Sequence, residues 1–274
     1  MAKQGIEGMI DLQKIKSQAQ ELTLTVGEYI REQREIFTMN EVQSKGLHDL
    51  VSYVDITSEK KLVEGLKNIL PEAGFITEEG KQNDDKNKYI WVIDPLDGTT
   101  NFIHGIPHYC ISVALIENNE IVLGMVYDIP QHDFFWAIRH QGSYLNDKKI
   151  HVSDCKNLSD ALIATGFPVN KFHRLTPYLQ LLENIIQNSH GVRRIGTAAL
   201  DLCYVACGKV EAFYEYGLQP WDVAAGTLIV QEAGGMVSDF NNGKEFLFGE
   251  EIVASNTHIH DSLIATVQKN MNSN

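Results

Sequence analysis

Apolar positions recur at helical spacing through Leu12, Ile15, Ala19, Leu22, Val26 and Ile30, so residues from about 11 to 37 are expected to form one helix or two joined helices. A second helix is expected after Thr57 and Ser58, with Leu62, Val63, Leu66, Ile69 and Leu70 on one face and Pro71 beyond its end. Between them, KGLHDLVSYVD reads as a loop leading into a short extended piece that ends at Asp55. From about residue 88 the period changes to two. KYIWVID is strand-like, CISVALIENNEIVLGMVYD reads as two strands joined by a tight turn at Asn118 and Asn119, and DFFWAIRHQGSYLND adds further strand with a turn near Gly142.

The polar segment 151–160, HVSDCKNLSD, marks an internal boundary, and beyond it the elements alternate. ALIATGF is a strand, LTPYLQLLENIIQN a helix, and VRRIG a short strand or connector. TAALDLCYVACG is a helix closed by Gly208, KVEAFYEYG a strand, and VAAGTLIVQEAGG a helix closed by Gly234. MVSDF and EIVASN are strands, and THIHDSLIATVQKN is a final helix. The expectation is one catalytic domain of two halves, approximately 1–150 and 151–274. The first is α+β with a largely antiparallel sheet, the second is α/β, and the active site lies at their junction.

Composition narrows the function. The 274 residues are 43% hydrophobic and 22% charged, the balance of an ordinary globular chain. A formal net charge of −13 argues against general nucleic-acid binding. A small anionic ligand would need a local reversal of sign, for which a metal ion is the obvious device. Cys110, Cys155, Cys203 and Cys207 form no C-x-x-C pair and read as reduced, mostly buried thiols. The N-terminus lacks a signal-peptide core and no apolar run approaches 18 residues, so a cytoplasmic protein without membrane association is expected.

Candidate chemistry concentrates in WVIDPLDGTTNF, residues 91–102. Asp94 ends an apolar run, Pro95 cannot continue a ladder, and a turn can bring Asp97 to Asp94 with the Leu96 carbonyl between them. Two carboxylates and a carbonyl are hard oxygen donors suited to magnesium. Gly98 permits close backbone approach, and Thr99 and Thr100 can open a helical turn whose N–H groups face an anion. The same D-P-x-D-G also makes an ordinary turn. Its company matters: Glu78 and Glu79 in GFITEEG lie upstream, and Trp221-Asp222 opens an Ala/Gly-rich helix, where Asp222 also reads as a plain N-cap. His258 and His260 read as solvated, and Arg193 and Arg194 are not assigned to catalysis.

Together, Glu78-Glu79, the run Asp94 to Phe102, Trp221-Asp222-Val223-Ala224-Ala225-Gly226, Asp55, Gly196-Thr197-Ala198-Ala199 and Glu215 resemble the signatures of the inositol monophosphatase family over nearly the whole chain. The resemblance implies a layered αβαβα sandwich of the sugar-phosphatase type. It implies two or three Mg²⁺ ions held by Glu78, Asp94, the Leu96 carbonyl, Asp97 and Asp222. Catalysis would rest on Glu78 and on Thr99 bonded to Asp55, which prepare a water for direct in-line attack. Gly98 and Thr99 would bind phosphate, while Asp97, Gly196, Thr197, Ala198 and Glu215 would contact a phosphorylated polyol. It further implies lithium sensitivity and a homodimer. The loop Lys45-Gly46-Leu47-His48-Asp49 is one residue shorter than the family's, with Lys45 a candidate at the third-metal site. By resemblance, the Thr100-Asn101-Phe102 ending is similar to the inositol-phosphate and related sugar-phosphate branch rather than to relatives acting on 3′-phosphoadenosine phosphates, which favours inositol monophosphate; fructose 1,6-bisphosphate, a 3′-phosphoadenosine phosphate and NADP are the alternative esters. A non-catalytic regulatory protein of the same fold is the alternative from another class.

Overall fold

A computed structural model describes residues 10–38, 42–46, 49–80, 87–169 and 171–271. The first expected helix is one continuous element, α1 (Leu12–Ile36), capped by the Asp11 side chain. A hairpin follows, β1 (Val42–Gly46) and β2 (Asp49–Ser52), and then α2 (Tyr53–Ile69). Here the structure corrects the sequence reading. The helix begins four residues before Thr57, and Asp55 lies in its first turn rather than at the end of an extended piece. The cause is a capping box: the Ser52 Oγ accepts the Val54 N–H, and Asp55 Oδ2 accepts the Ser52 N–H at 2.9 Å.

Strands β3 (Gly74–Thr77) and β4 (Tyr89–Asp97) are followed by the one-and-a-half-turn helix α3 (Thr99–His104). Next come β5 (Cys110–Glu117), β6 (Glu120–Asp128), β7 (Asp133–Ile138), β8 (Ser143–Leu145) and β9 (Lys148–Ile150). Asn118 and Asn119 both adopt positive φ, as a two-residue hairpin turn requires. These strands form a seven-stranded sheet in the order β3-β4-β5-β6-β7-β8-β9, antiparallel except for the β3–β4 pair.

Beyond 151–160 lie β10 (Leu162–Thr165), α4 (Leu175–Asn188), β11 (Gly191–Arg193), α5 (Ala198–Ala206), β12 (Ala212–Tyr216), α6 (Pro220–Glu232), β13 (Met236–Ser238), β14 (Glu251–Ser255) and α7 (His260–Met271). The second sheet runs β11-β10-β12-β14-β13 and is mixed: β10 pairs in parallel with β11 and β12, and β14 antiparallel with β12 and β13.

Three apolar clusters define five layers. One joins α1 and α2 to the outer face of the first sheet, through Val26, Ile30, Leu62, Trp91 and Ile93. A second fills the space between the sheets, where α5 and α6 lie, and the third joins α4 and α7 to the far face of the second sheet. This is an αβαβα sandwich. The residues from Val223 to Val230 of α6 are all buried, as expected of a helix apolar on every side and enclosed by two sheets. Closeness there is backbone-limited: a Cβ on Gly124 of β6 would sit 2.6 Å from the Ala225 carbonyl oxygen.

One further expectation changes. His260 is fully buried, between Ser238 Oγ at 3.1 Å and Ser255 Oγ at 2.8 Å, instead of solvated. Of the four thiols, Cys110 and Cys203 are buried while Cys155 and Cys207 are half-buried. Among the described residues no helix is long and apolar enough to cross a membrane.

Candidate active site

The site forms where the end of β4 meets the N-termini of α3, α5 and α6. In the β4–β5 ladder Asp94 pairs with Ser112 and Asp97 with Cys110, so Pro95 and Leu96 together face the single residue Ile111. This is a β-bulge, and it accommodates a proline in a central strand. The strand therefore does not end at Asp94, as the proline suggests, but resumes at Asp97. In a regular strand, residues three apart face opposite sides. The extra residue shifts that alternation by one and brings Asp94 and Asp97 to the same side. Asp94 Oδ1 accepts the Leu96 N–H at 2.9 Å, which holds the bulge.

Neighbouring elements bring the other acids. The parallel register of Thr77 with Ile93, carried one residue on, sets Glu78 beside Asp94. Ser112, the ladder partner of Asp94, donates to the Trp221 carbonyl at 3.1 Å and so ties the start of α6 to the first sheet. Asp222 is the third residue of α6 and not its N-cap: Gln219 occupies the cap, Pro220 opens the helix, and Asp222 Oδ2 accepts the Gln219 N–H at 2.7 Å.

Gly98 adopts φ +92°, and a Cβ there would lie 2.7 Å from Thr197 Cγ2, so no L side chain fits the turn into α3. Thr99 Oγ1 stands 2.9 Å from Asp55 Oδ1 and 3.0 Å from the Leu96 carbonyl oxygen. Thr197 caps α5 through the Leu200 N–H, and the Ala199 N–H donates to Asp97 Oδ2 at 2.9 Å. Asn101 fastens α3 to this segment through the carbonyls of His108 and Ile195.

One cleft, with a cavity of about 200 Å³, is lined by Glu78, Asp97, Gly98, Thr99, Gly196, Thr197, Ala198, Glu215 and Asp222. Asp94, Leu96 and Asp55 lie buried beneath it. Every site residue expected from the sequence is thus brought to this place, except that the side chain of Lys45 lies outside what the structure describes. Glu79 lies beside the cleft as part of a turn, its N–H donating to Glu59 Oε2 at 2.7 Å. Glu215 is buried on β12, and its carboxylate fills the space where a Cβ on Gly166 would stand. The sequence reading misses Asp201 and the wall from Gly166 to Val169, and leaves Arg194 unassigned although it reaches the cleft. A signal for Asp201 exists: it is the lone acid in the apolar run AALDLCYVA.

The electrostatics are those of crowded acids. Burial and then repulsion from Glu78, Asp97 and Asp222 push the Asp94 carboxyl well above its usual range. Burial and Glu78 push Asp97 up to about 7, against the opposing pull of the Ala199 N–H. Burial and Asp97 push Asp222 up to about 7. Among the described residues, no three His, Cys, Asp or Glu side chains are already gathered into a finished metal cage. The donor set nonetheless fits a hard divalent cation: it is all oxygen, anionic, and destabilised by its own charge.

Over residues 11–272 the chain matches the model of the inositol monophosphatase family, and it belongs to that family. It is 41% identical over 256 residues to a Nus factor SuhB of Pseudomonas aeruginosa, covering 90% of this chain and 93% of the relative. The crystal structure of the extragenic suppressor protein SuhB from Bartonella henselae superposes with a TM-score of 0.87 at 37% identity, covering 93% of this chain and 98% of that one. The inositol monophosphatase of Anabaena superposes with a TM-score of 0.84 at 33% identity, covering 95% and 97%.

Proposed function

We propose that the protein is a magnesium-dependent phosphomonoesterase that hydrolyses inositol monophosphate to inositol and phosphate. The observation that carries this reading is the cleft that Glu78, Asp97 and Asp222 line together with Glu215 and with Thr99, whose hydroxyl is bonded to Asp55. Glu78, Asp94, the Leu96 carbonyl, Asp97 and Asp222 would hold two or three Mg²⁺ ions. When bound, magnesium supplies Lewis acidity, which lowers the pKa of water and stabilises a leaving alkoxide.

The chain's own groups do the rest. Asp55 accepts the Thr99 hydroxyl proton, which leaves a lone pair of Thr99 Oγ1 to accept a hydrogen from the attacking water. Glu78, which lines the same cleft, would orient that water. Gly98 and Thr99 present backbone N–H groups to the phosphate oxygens. Water attacks phosphorus in line and the ester P–O bond breaks; the Thr99–Asp55 pair takes the proton the water gives up and returns it to solvent, and the departing alkoxide takes one from solvent, so that inositol and hydrogen phosphate leave. Asp97, Gly196, Thr197, Ala198 and Glu215 take the polyol, whose hydroxyls donate to the carboxylates. The Anabaena relative's name supports the inositol assignment.

Phosphate release should be compared on inositol 1-phosphate, fructose 1,6-bisphosphate, 3′-phosphoadenosine 5′-phosphate and NADP, with magnesium and with EDTA. The reading expects the first ester to lead in kcat/KM and EDTA to silence all four. A nucleotide ester leading by orders of magnitude would overturn the substrate, and turnover surviving EDTA would overturn the metal. The name of the Pseudomonas relative, a Nus factor, supports a second reading in which the chain serves as such a factor without turnover. Retention of the four acids, Thr99 and Asp55 favours the enzyme. By family resemblance the chain also pairs with a second copy, which sedimentation equilibrium reads directly.

A further inference from the structure

Asp201 lies in the first turn of α5 and is 1% exposed. Among the described residues its Oδ1 has no hydrogen-bond partner and no salt bridge reaches it. It is not a helix cap, because Thr197 already fills that role. A buried acceptor without a partner is costly to keep, and such groups in natural proteins call for an explanation. Here the residue borders the cleft at the wall shared with Glu215, Gly196 and Arg194. Glu215 is its electrostatic neighbour, and Arg194, on the exposed rim, is the cation that faces both.

We propose that Asp201 is a specificity-determining residue of the alcohol subsite: its carboxylate, which borders the cleft, accepts a hydroxyl of the substrate, beside the hydroxyl taken by Glu215. The inference rests on the proposed hydrolysis of a phosphorylated polyol and adds to it the group that reads a second hydroxyl. Two adjacent acids suit a neutral polyhydroxy leaving group, which brings O–H donors. They disfavour an alcohol that carries further phosphates. An ester with no hydroxyls gains nothing from Asp201, since a site built to bond a hydroxyl discriminates against the analogue that lacks it.

The test compares wild type, Asp201→Asn and Asp201→Leu on inositol 1-phosphate and on phenyl phosphate, with thermal melting of each protein. D201L should lose about tenfold or more in kcat/KM on inositol 1-phosphate, mainly through KM, and less than about twofold on phenyl phosphate. D201N, which keeps one acceptor oxygen, should fall between. Both variants should melt higher than wild type, because each removes the buried carboxylate. Equal losses on the two esters, no loss on either, or lowered melting temperatures would each make Asp201 a structural residue and overturn the inference. Wild type active on phenyl phosphate but silent on inositol 1-phosphate would instead overturn the proposed substrate, and the inference with it.

Discussion

Thr99 Oγ1 and Asp55 Oδ1 lie 2.9 Å apart although 44 residues separate them in the chain. Asp55 is already held on its other oxygen by the Ser52 N–H and, at 2.5 Å, by the Ser52 hydroxyl. The oxygen that faces Thr99 is therefore aimed by the start of α2, and the threonine hydroxyl is polarised by a carboxylate that cannot turn away.

If that pair acts as one proton acceptor, Thr99→Val should lower kcat by about 10²-fold with KM little changed. Asp55→Asn should do the same, and the double variant should be scarcely worse than either single one, since the two residues form one unit. Steady-state kinetics at saturating magnesium measures all three. Additive losses would break the proposed relay.

The acids of the cleft repel one another, so magnesium should stabilise the fold as well as activate it. Melting temperature should rise with magnesium concentration in wild type. Asp94→Asn should start from a higher melting temperature without metal, respond less to magnesium, and lose about 10²-fold or more in kcat. Differential scanning calorimetry across a magnesium series reads this. A D94N protein that melts lower and still turns over normally would contradict it.

His108 is a separate, pH-dependent element. It is 7% exposed, its Nε2 has no hydrogen-bond partner among the described residues, and burial, reinforced by Lys209, holds its pKa down at about 4 against an ordinary 6.5. The native state thus binds fewer protons than the unfolded chain between these values. The stability this provides is complete above pH 6.5 and is lost as pH falls toward 4, to an extent of about 3 kcal/mol. His108→Phe keeps a ring against Tyr204, 5.8 Å away by centroids, and removes the titration. Urea unfolding at pH 7 and pH 4.5 should show a smaller acid loss in H108F than in wild type.

Gly124 tests the contact between β6 and α6. Gly124→Ala forces a methyl against the Ala225 backbone and should cost about 1–3 kcal/mol. Because α6 carries Asp222, the same substitution should weaken magnesium binding, measured by calorimetric titration. Destabilisation with unchanged magnesium affinity would show that the helix yields without moving its first turn.

Much of this architecture was legible in period and punctuation. The strand runs, the Asn118-Asn119 turn, the helix stops at Gly208 and Gly234 and the grouping of acids around residues 94–98 all follow from local chemistry. The departures have local causes as well. Tyr53 and Val54 look like strand residues, but the Ser52-x-x-Asp55 box outweighs them and pulls Asp55 into a helix. Pro95 reads as a stop, whereas a bulge absorbs it. Pro220 was the available sign that Asp222 stands at the third helical position and not at the cap. His260 and Asp201 were not legible in role, because their surroundings come from distant elements: Ser238 and Ser255 for the first, Glu215 and the cleft wall for the second.

The bulge at Pro95-Leu96 has a last consequence. A single surplus residue decides which way Asp97 faces, so the spacing of the two acids behaves like a reading frame. Drawing the bulge out into regular strand, with both of its residues kept, would turn the second acid to the opposite side of the sheet. For this centre, the irregular backbone between the acids is as much a part of the chemistry as the acids themselves.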